Sequence, residues 1–234
     1  LMTYRELINQ VLIRLREDTI TSDWSGAIND SSTVSAYHKV IGALINDSKR
    51  SIESYHDWLN LRETVSVSTV SGTKNYNLSS GQEIKIVDVI NATTGMHLNQ
   101  VSKVYLNTVK YPTDDTGEPL YYGFNGSDSS NNLKVDLSPV PTSVQTLNFE
   151  IIKHQDALTL AATVLKVPSQ PVILGAWARA IAERGEDGGT QSSLAAVEAA
   201  EALKQSVILD SGNTQYESDW FVSENHTHGT VNFR

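Results

Sequence analysis

The residues of this chain best equipped for chemistry are six histidines and several clustered loop carboxylates. His38, His56, His97 and His154 are scattered over different parts of the chain. None has an acidic or hydroxyl neighbour at a spacing that suggests a relay, so they read as solvent-facing or structural. A Ser-His-Asp set assembles in space and not along the chain, yet no G-x-S-x-G elbow is present to expose a nucleophile. In "SENHTHGT", Glu224, His226 and His228 could offer a metal one carboxylate and two imidazoles. A further distant ligand is not evident, and the stretch reads as polar tail. Asp114, Asp115 and Glu118, with Asp128 on another tip, could bind calcium, but not at EF-hand spacing. "GEDGG" at Gly185–Gly189 lacks a following Lys-Ser/Thr, so it reads as a turn and not a phosphate cradle. The expectation is a chain with no catalytic residues, no metal and no cofactor.

Charge narrows the choice further. The net charge of −9 opposes tight wrapping of nucleic acid, which needs clustered Lys and Arg. The basic pairs Arg14/Arg16, Lys49/Arg50, Lys103/Lys110 and Arg179/Arg184 each have acidic neighbours, and they read as helix-surface ion pairs. Cysteine is absent, which removes disulfides and thiolate sites and fits assembly in reducing cytoplasm. No run of about eighteen apolar residues exists, so no membrane-spanning helix is expected.

What remains is shape. Thr3 and Glu6 form a capping box ahead of Leu7, Ile8, Val11, Leu12 and Leu15, a helical stripe. A polar loop follows, with Trp24 and Ile28 as lone anchors. The second helix is expected over 33–60, a rod of roughly 40 Å at about 1.5 Å per residue. It should end abruptly at Trp58, where the period changes to two. Strands are then expected around Val65–Thr69 and Tyr76–Leu78, joined as a hairpin at Ser71-Gly72-Thr73. More follow at Glu83–Ile90, Met96–Gln100, Leu120–Phe124, Leu133–Leu137 and Thr146–His154, with a short helix over 101–109. Pro168 and Pro171 open a third long helix that stops at Gly185, and an Ala-rich helix runs from Thr190 to Leu209. Beyond Ser211 the pattern becomes a polar tail carrying Tyr216, Trp220, Phe221 and Phe233.

The expected fold is therefore α+β. A four-helix bundle is built from the N- and C-terminal helices, with an antiparallel β sandwich or barrel inserted and an extended C-terminal tail. The expected divisions are 1–60 and 160–211 for the two halves of the bundle, 61–159 for the β domain and 212–234 for a docking tail.

Two stretches carry a family likeness. "MTYRELINQVLIRLREDTI" at 2–20 is similar to the start of the head-to-tail adaptors of short-tailed phages, also called tail tubular protein A, cyanophage members especially. "YHKVIGALINDSKRSIESYHDWLNLRETVSV" at 37–67 resembles that family's second helix, in which an IG-x-x-(I/V)N-(D/E)-(A/S)K-R stretch leads to a W-x-x-LR exit. "LSPVP" at 137–141 and the last two long helices continue the likeness.

The resemblance implies a non-enzymatic virion protein of the neck and tail. Its copies would form a ring, dodecameric by analogy, between the portal protein and the tail nozzle protein. Genomic DNA would pass through the lumen without specific binding, and no membrane is involved. The residues expected to serve assembly are Trp58 and Leu61 at the junction of helices and sheet, and Tyr216, Trp220, Phe221 and Phe233 on the tail. Two other classes stay open. One is a tail-associated cell-wall hydrolase using Asp114, Asp115 or Glu118; the other is a carbohydrate-binding module with Tyr121, Tyr122 and Phe124 as its platform.

Overall fold

The computed structural model describes residues 2–78, 84–107, 115–185 and 189–231, with side chains of the last segment described up to residue 212. Contacts divide the chain into two compact units, Leu1–Asn60 with Gln155–Arg234, and Leu61–His154. The class is α+β, as the two periodicities required.

In the first unit, α1 (Tyr4–Arg14) begins with the capping box: the Glu6 amide donates to the Thr3 hydroxyl and the Thr3 amide to the Glu6 carboxylate. It buries Tyr4, Leu7, Ile8, Val11 and Leu12. Its end carries an unusual residue. Arg16 sits at φ 57 while the Arg16 and Glu17 amides donate to the Ile13 and Leu12 carbonyls, a left-handed cap where glycine is the usual occupant. Trp24 and Ile28 are buried anchors in the following loop, and the Trp24 indole donates to the Thr159 carbonyl at 3.1 Å.

The second helix is shorter than expected. α2 (Ala36–Glu53) is capped by Ser35 and has 18 residues, about 27 Å long, against the expected rod of roughly 40 Å. Helix ends leave orphan carbonyls, and here the Trp58 indole turns back to donate to the Ile52 carbonyl at 2.8 Å. That contact ends the helix early and leaves Tyr55, inside the expected 33–60 span, beyond the helix and 62% exposed.

The remaining helices of this unit are α4 (Ser169–Arg184) and α5 (Thr190–Val231), while α3 (Lys103–Tyr105) is a single turn in the other unit. Pro168 and Pro171 stand at the start of α4, where a missing N–H costs nothing, and Gly185 at φ 66 closes it. α4 packs on α5, α2 and α1, and α1 packs on α2. The backbone of α5 continues as helix far past Leu209, so the extended tail is corrected to a helical one. An existing helix propagates cheaply, and no proline interrupts residues 211–231.

The second unit holds two four-stranded sheets. One has the order β1 (Arg62–Ser68), β10 (Thr146–Lys153), β3 (Ile84–Asn91), β4 (Met96–His97) and is antiparallel throughout. The other has the order β2 (Asn75–Leu78), β8 (Leu133–Ser138), β7 (Tyr121–Ser127), β5 (Asn99–Gln100), with β5 parallel to β7. A parallel pair, β6 (Thr116–Gly117) and β9 (Val140–Pro141), lies beside them in sequence. Side chains of both large sheets share one core around Leu78, Val89, Val135, Leu137, Leu147 and Phe149.

Two expectations are corrected here. Among the described residues the sheets are open and do not close into a barrel. The turn at Ser71-Gly72-Thr73 is not a hairpin: β1 pairs with β10 and β2 with β8, so the turn carries the chain from one sheet to the other. The Tyr76 hydroxyl holds that crossing by bonding the Val70 amide and carbonyl and the Thr73 carbonyl.

Candidate functional site

The expected basic surface pair at Lys49/Arg50 turns out to contain a buried clasp. On α2, Gly42, Asn46, Lys49 and Glu53 recur at helical spacing and share one face. Lys49 is 3% exposed and Glu53 2%. The Lys49 ammonium donates to both Glu53 oxygens at 3.3 Å, to the Gln155 carbonyl and to the Asp156 carbonyl at 3.1 Å. Glu53 in turn accepts from the Gln155 amide at 3.3 Å. Burial pulls the Lys49 ammonium below its ordinary range, opposed by the Glu53 carboxylate.

One turn away Asn46 repeats the device. It donates to the Leu158 carbonyl at 3.0 Å and accepts from the Leu158 amide at 2.8 Å. The same side chain reaches the Tyr4 hydroxyl at 3.3 Å. Gly42 has no room for a Cβ, because the Tyr4 hydroxyl and Ile28 lie against it. Residues 155–165 thus run as irregular backbone whose polar groups are satisfied by side chains of α2 and by the start of α1. The Tyr4 amide donates to the Thr163 carbonyl at 2.8 Å, and the Leu165 amide donates to the Met2 carbonyl at 3.0 Å. Nearby, the Asp210 carboxylate on α5 accepts from the Leu59 amide at 3.2 Å and meets the His56 ring at 3.1 Å.

The surface of this unit has features a folded monomer does not need. On α5, Leu194, Val197, Ile208 and Leu209 are each more than 60% exposed. A cleft of about 530 Å³ in the same unit is lined by Trp177, Ile181 and Gln191 with Arg14, Leu15, Arg16 and Arg184. A second groove continues past Arg14 and Trp177 to Glu198 and Glu201. Arg184 is held by Glu17 at 2.5 Å and by the Tyr37 hydroxyl at 2.9 Å, with its guanidinium over the Tyr37 ring. Among the described residues no cluster of three or more His, Asp or Glu could hold a metal ion, and no helix is long and apolar enough to cross a membrane.

The face of α2 that makes the clasp is the same "IGALINDSKR" stretch that carried the family likeness, and a family model decides the matter. The model described as SU10 adaptor protein matches residues 2–221, spanning both units. The chain belongs to that family. SU10 adaptors are phage structural proteins of the virion neck, joined to head and tail components, and their role is not enzymatic. No curated protein matches the chain.

For this SU10 adaptor the expected site residues separate into three groups. Trp58 and Leu61 are each 2% exposed, so both are internal side chains. Tyr216, Trp220 and Phe221 lie on the α5 backbone with their side chains outside the described residues, as do those of Glu224, His226 and His228; Phe233 and Asp114 lie wholly outside them. Asp115 and Glu118 are exposed on a loop.

The carbohydrate platform does not form as expected, because strand alternation sends Tyr122 inward to 4% exposure. There it meets Phe124 and Phe149 edge-on at 6.1 Å. Asp128, expected on an exposed tip, organises a hairpin. Its carboxylate accepts from the amides of Ser130 and Asn132, both at 2.8 Å. His97 faces Asp88 at 2.8 Å, and the His38 ring bonds the Asp18 carbonyl at 3.1 Å.

Sequence reasoning missed the clasp. Its signal was there: Lys49 and Glu53 are four apart and in phase with the buried Ile41, Ile45, Ser48 and Ile52, a phase no surface pair keeps.

Proposed function

We propose that this protein is a head-to-tail adaptor whose copies close into a ring, twelve by analogy, joining the portal protein to the tail nozzle and surrounding the path of the genome. The observation that carries the reading is the family match over 2–221. Three physical features support it. A ring is built from heterologous contacts that close, and the exposed apolar side chains of α5 supply a surface of the right kind. A net charge of −9 lets DNA pass without adhering. The aromatic segment of α5, with Tyr216, Trp220 and Phe221, followed by Phe233, serves as a docking arm whose weak contacts add up over many copies. Trp58 and Leu61 serve assembly indirectly, by fixing the shape of the subunit from inside. Assembly takes place in the host cytoplasm.

The test is negative-stain imaging of the purified chain, alone and mixed with portal rings. Washer-shaped particles stacked on the portal are expected. A chain truncated after Gly212 is expected to keep its fold by circular dichroism and to lose portal docking. A monodisperse monomer that ignores the portal would sink the reading.

A further inference from the structure

We propose that the cleft around Trp177 is the receptor for the acidic aromatic segment Tyr216–Glu224 of a second copy of this chain, an inference that rests on the adaptor-ring reading. In a chain of net charge −9, this cleft gathers Arg14, Arg16 and Arg184 against the half-buried Trp177 ring. Glu17 already neutralises Arg184, and Arg14 bonds the Gln10 carbonyl and side chain. Among the described residues Arg16 is exposed and has no acidic partner. It also occupies a left-handed backbone position, φ 57, that glycine fills without strain. An arginine held there against local preference points to work done by its side chain.

The occupant must be acidic, carry a bulky apolar group and be available. Residues 211–224 hold Glu217, Asp219 and Glu224, no Lys or Arg, and Trp220-Phe221 between the acids. A cleft of about 530 Å³ has the volume for such a pair of rings. The same copy cannot supply it. Gln191, on the cleft wall, and Trp220 lie on one continuous helix, Thr190–Val231, so they are about 44 Å apart at 1.5 Å per residue. A neighbour's arm reaches what the chain's own arm cannot. Each copy then gives one arm and receives one, the head-to-tail arrangement a ring requires.

Three full-length charge variants test this by sedimentation, and two cysteine variants test it by cross-linking. Arg16→Gly relieves the backbone, so thermal stability should hold or rise while self-association weakens by roughly 5-fold at low salt. Arg16→Glu should weaken it at least as much, and adding Glu217→Lys and Asp219→Lys to Arg16→Glu should restore it. Because the chain has no cysteine, mixing Gln191→Cys and Ser218→Cys copies in air, with dissolved oxygen as the oxidant, should give a disulfide-linked pair on a non-reducing gel. Unchanged association in Arg16→Gly overturns the proposal, as does absence of the cross-link. If a single-stranded oligonucleotide blocks the cross-link by binding the cleft, the cleft is a nucleic-acid site and the proposal also falls. Rings that form on the portal without the cross-link leave the adaptor reading standing and remove only the arm–cleft contact. Failure of the wild-type chain to form rings removes the adaptor reading itself.

Discussion

In the unit made from both ends of the chain, Lys49 and Glu53 are buried together and spend their polar atoms on the backbone of Gln155 and Asp156. In the Leu61–His154 unit the fully buried Asp136 meets Lys103 and Asn125, two other side chains, while strand ladders satisfy the backbone. The difference follows from what each unit must bury. Residues 155–165 are irregular, and irregular backbone carries N–H and C=O groups that need partners when water is removed. α2 supplies those partners from Asn46, Lys49 and Glu53. The β unit needs such partners only where the chain leaves its strands, at Tyr76 over Val70 and Thr73 and at Thr69 over Ser143 and Gln145; its inner sheet positions are apolar: Leu78, Val89, Val135, Leu137, Leu147 and Phe149. One unit is specified by polar clasps and the other by strand register.

The sharpest way to break this contrast is at Lys49. Lys49→Met leaves the Glu53 carboxylate buried without its cation and strips the Gln155 and Asp156 carbonyls of their donor. A loss of about 3–5 kcal/mol is expected in urea unfolding followed by circular dichroism. The double change Lys49→Met with Glu53→Leu removes the lone charge and recovers part of that loss. Recovery stays incomplete, because the amide and carbonyl of Gln155 still lack partners. A fully restored double variant would show that the clasp is dispensable and that apolar packing specifies this unit too.

The matching change in the β unit is Leu137→Ala. Leu137 is fully buried in the shared core, and its truncation should cost about 3 kcal/mol by lost transfer energy and cavity formation. No partner substitution is expected to help, since the loss is one of volume and not of pairing. Leu137→Met, which keeps the volume, should cost less than about 1.5 kcal/mol. A polar side chain tolerated at this position would erase the contrast from the other direction.

How much of this was readable in advance depended on which force chose each feature. Local rules were legible: the Thr3/Glu6 capping box, the proline start and Gly185 stop of α4, and the strands over 84–91, 133–138 and 146–153 all follow from side chains near in sequence. Features decided by contacts between distant residues were not. The Trp58 indole shortened α2 by capping Ile52, and strand partners chosen elsewhere turned the Gly72 hairpin into a crossing between sheets. Continuation of α5 overrode a polar composition because extending a helix is cheaper than starting one. The cleft was hidden for the same reason, since Arg14 and Arg16 at the end of α1 and Trp177 and Arg184 on α4 are far apart in sequence. Arg16 and Trp177 looked unremarkable until the fold brought them together.

The smallest effect, and the most local, is expected at the exposed counterpart of the Lys49 clasp. Asp128 also serves backbone amides, those of Ser130 and Asn132, with the Asn132 and Asn77 side chains donating as well at 3.1 and 3.2 Å. The Asn132 amide is the main cause that holds this carboxyl below its ordinary range. A lowered folded pKa means that the contribution is fully present above the unfolded value, about pH 4, and is lost as pH falls through the folded one. The Ser130 and Asn132 amide resonances should therefore shift together below about pH 4, with the β7–β8 ladder intact. Asp128→Asn should flatten that titration. Water competes freely at this tip, so losing the contact loosens a turn, whereas losing Lys49 releases a buried segment. If acidification instead melted the whole β unit at the same midpoint, the tip would be coupled to the core, and register alone would not account for that unit.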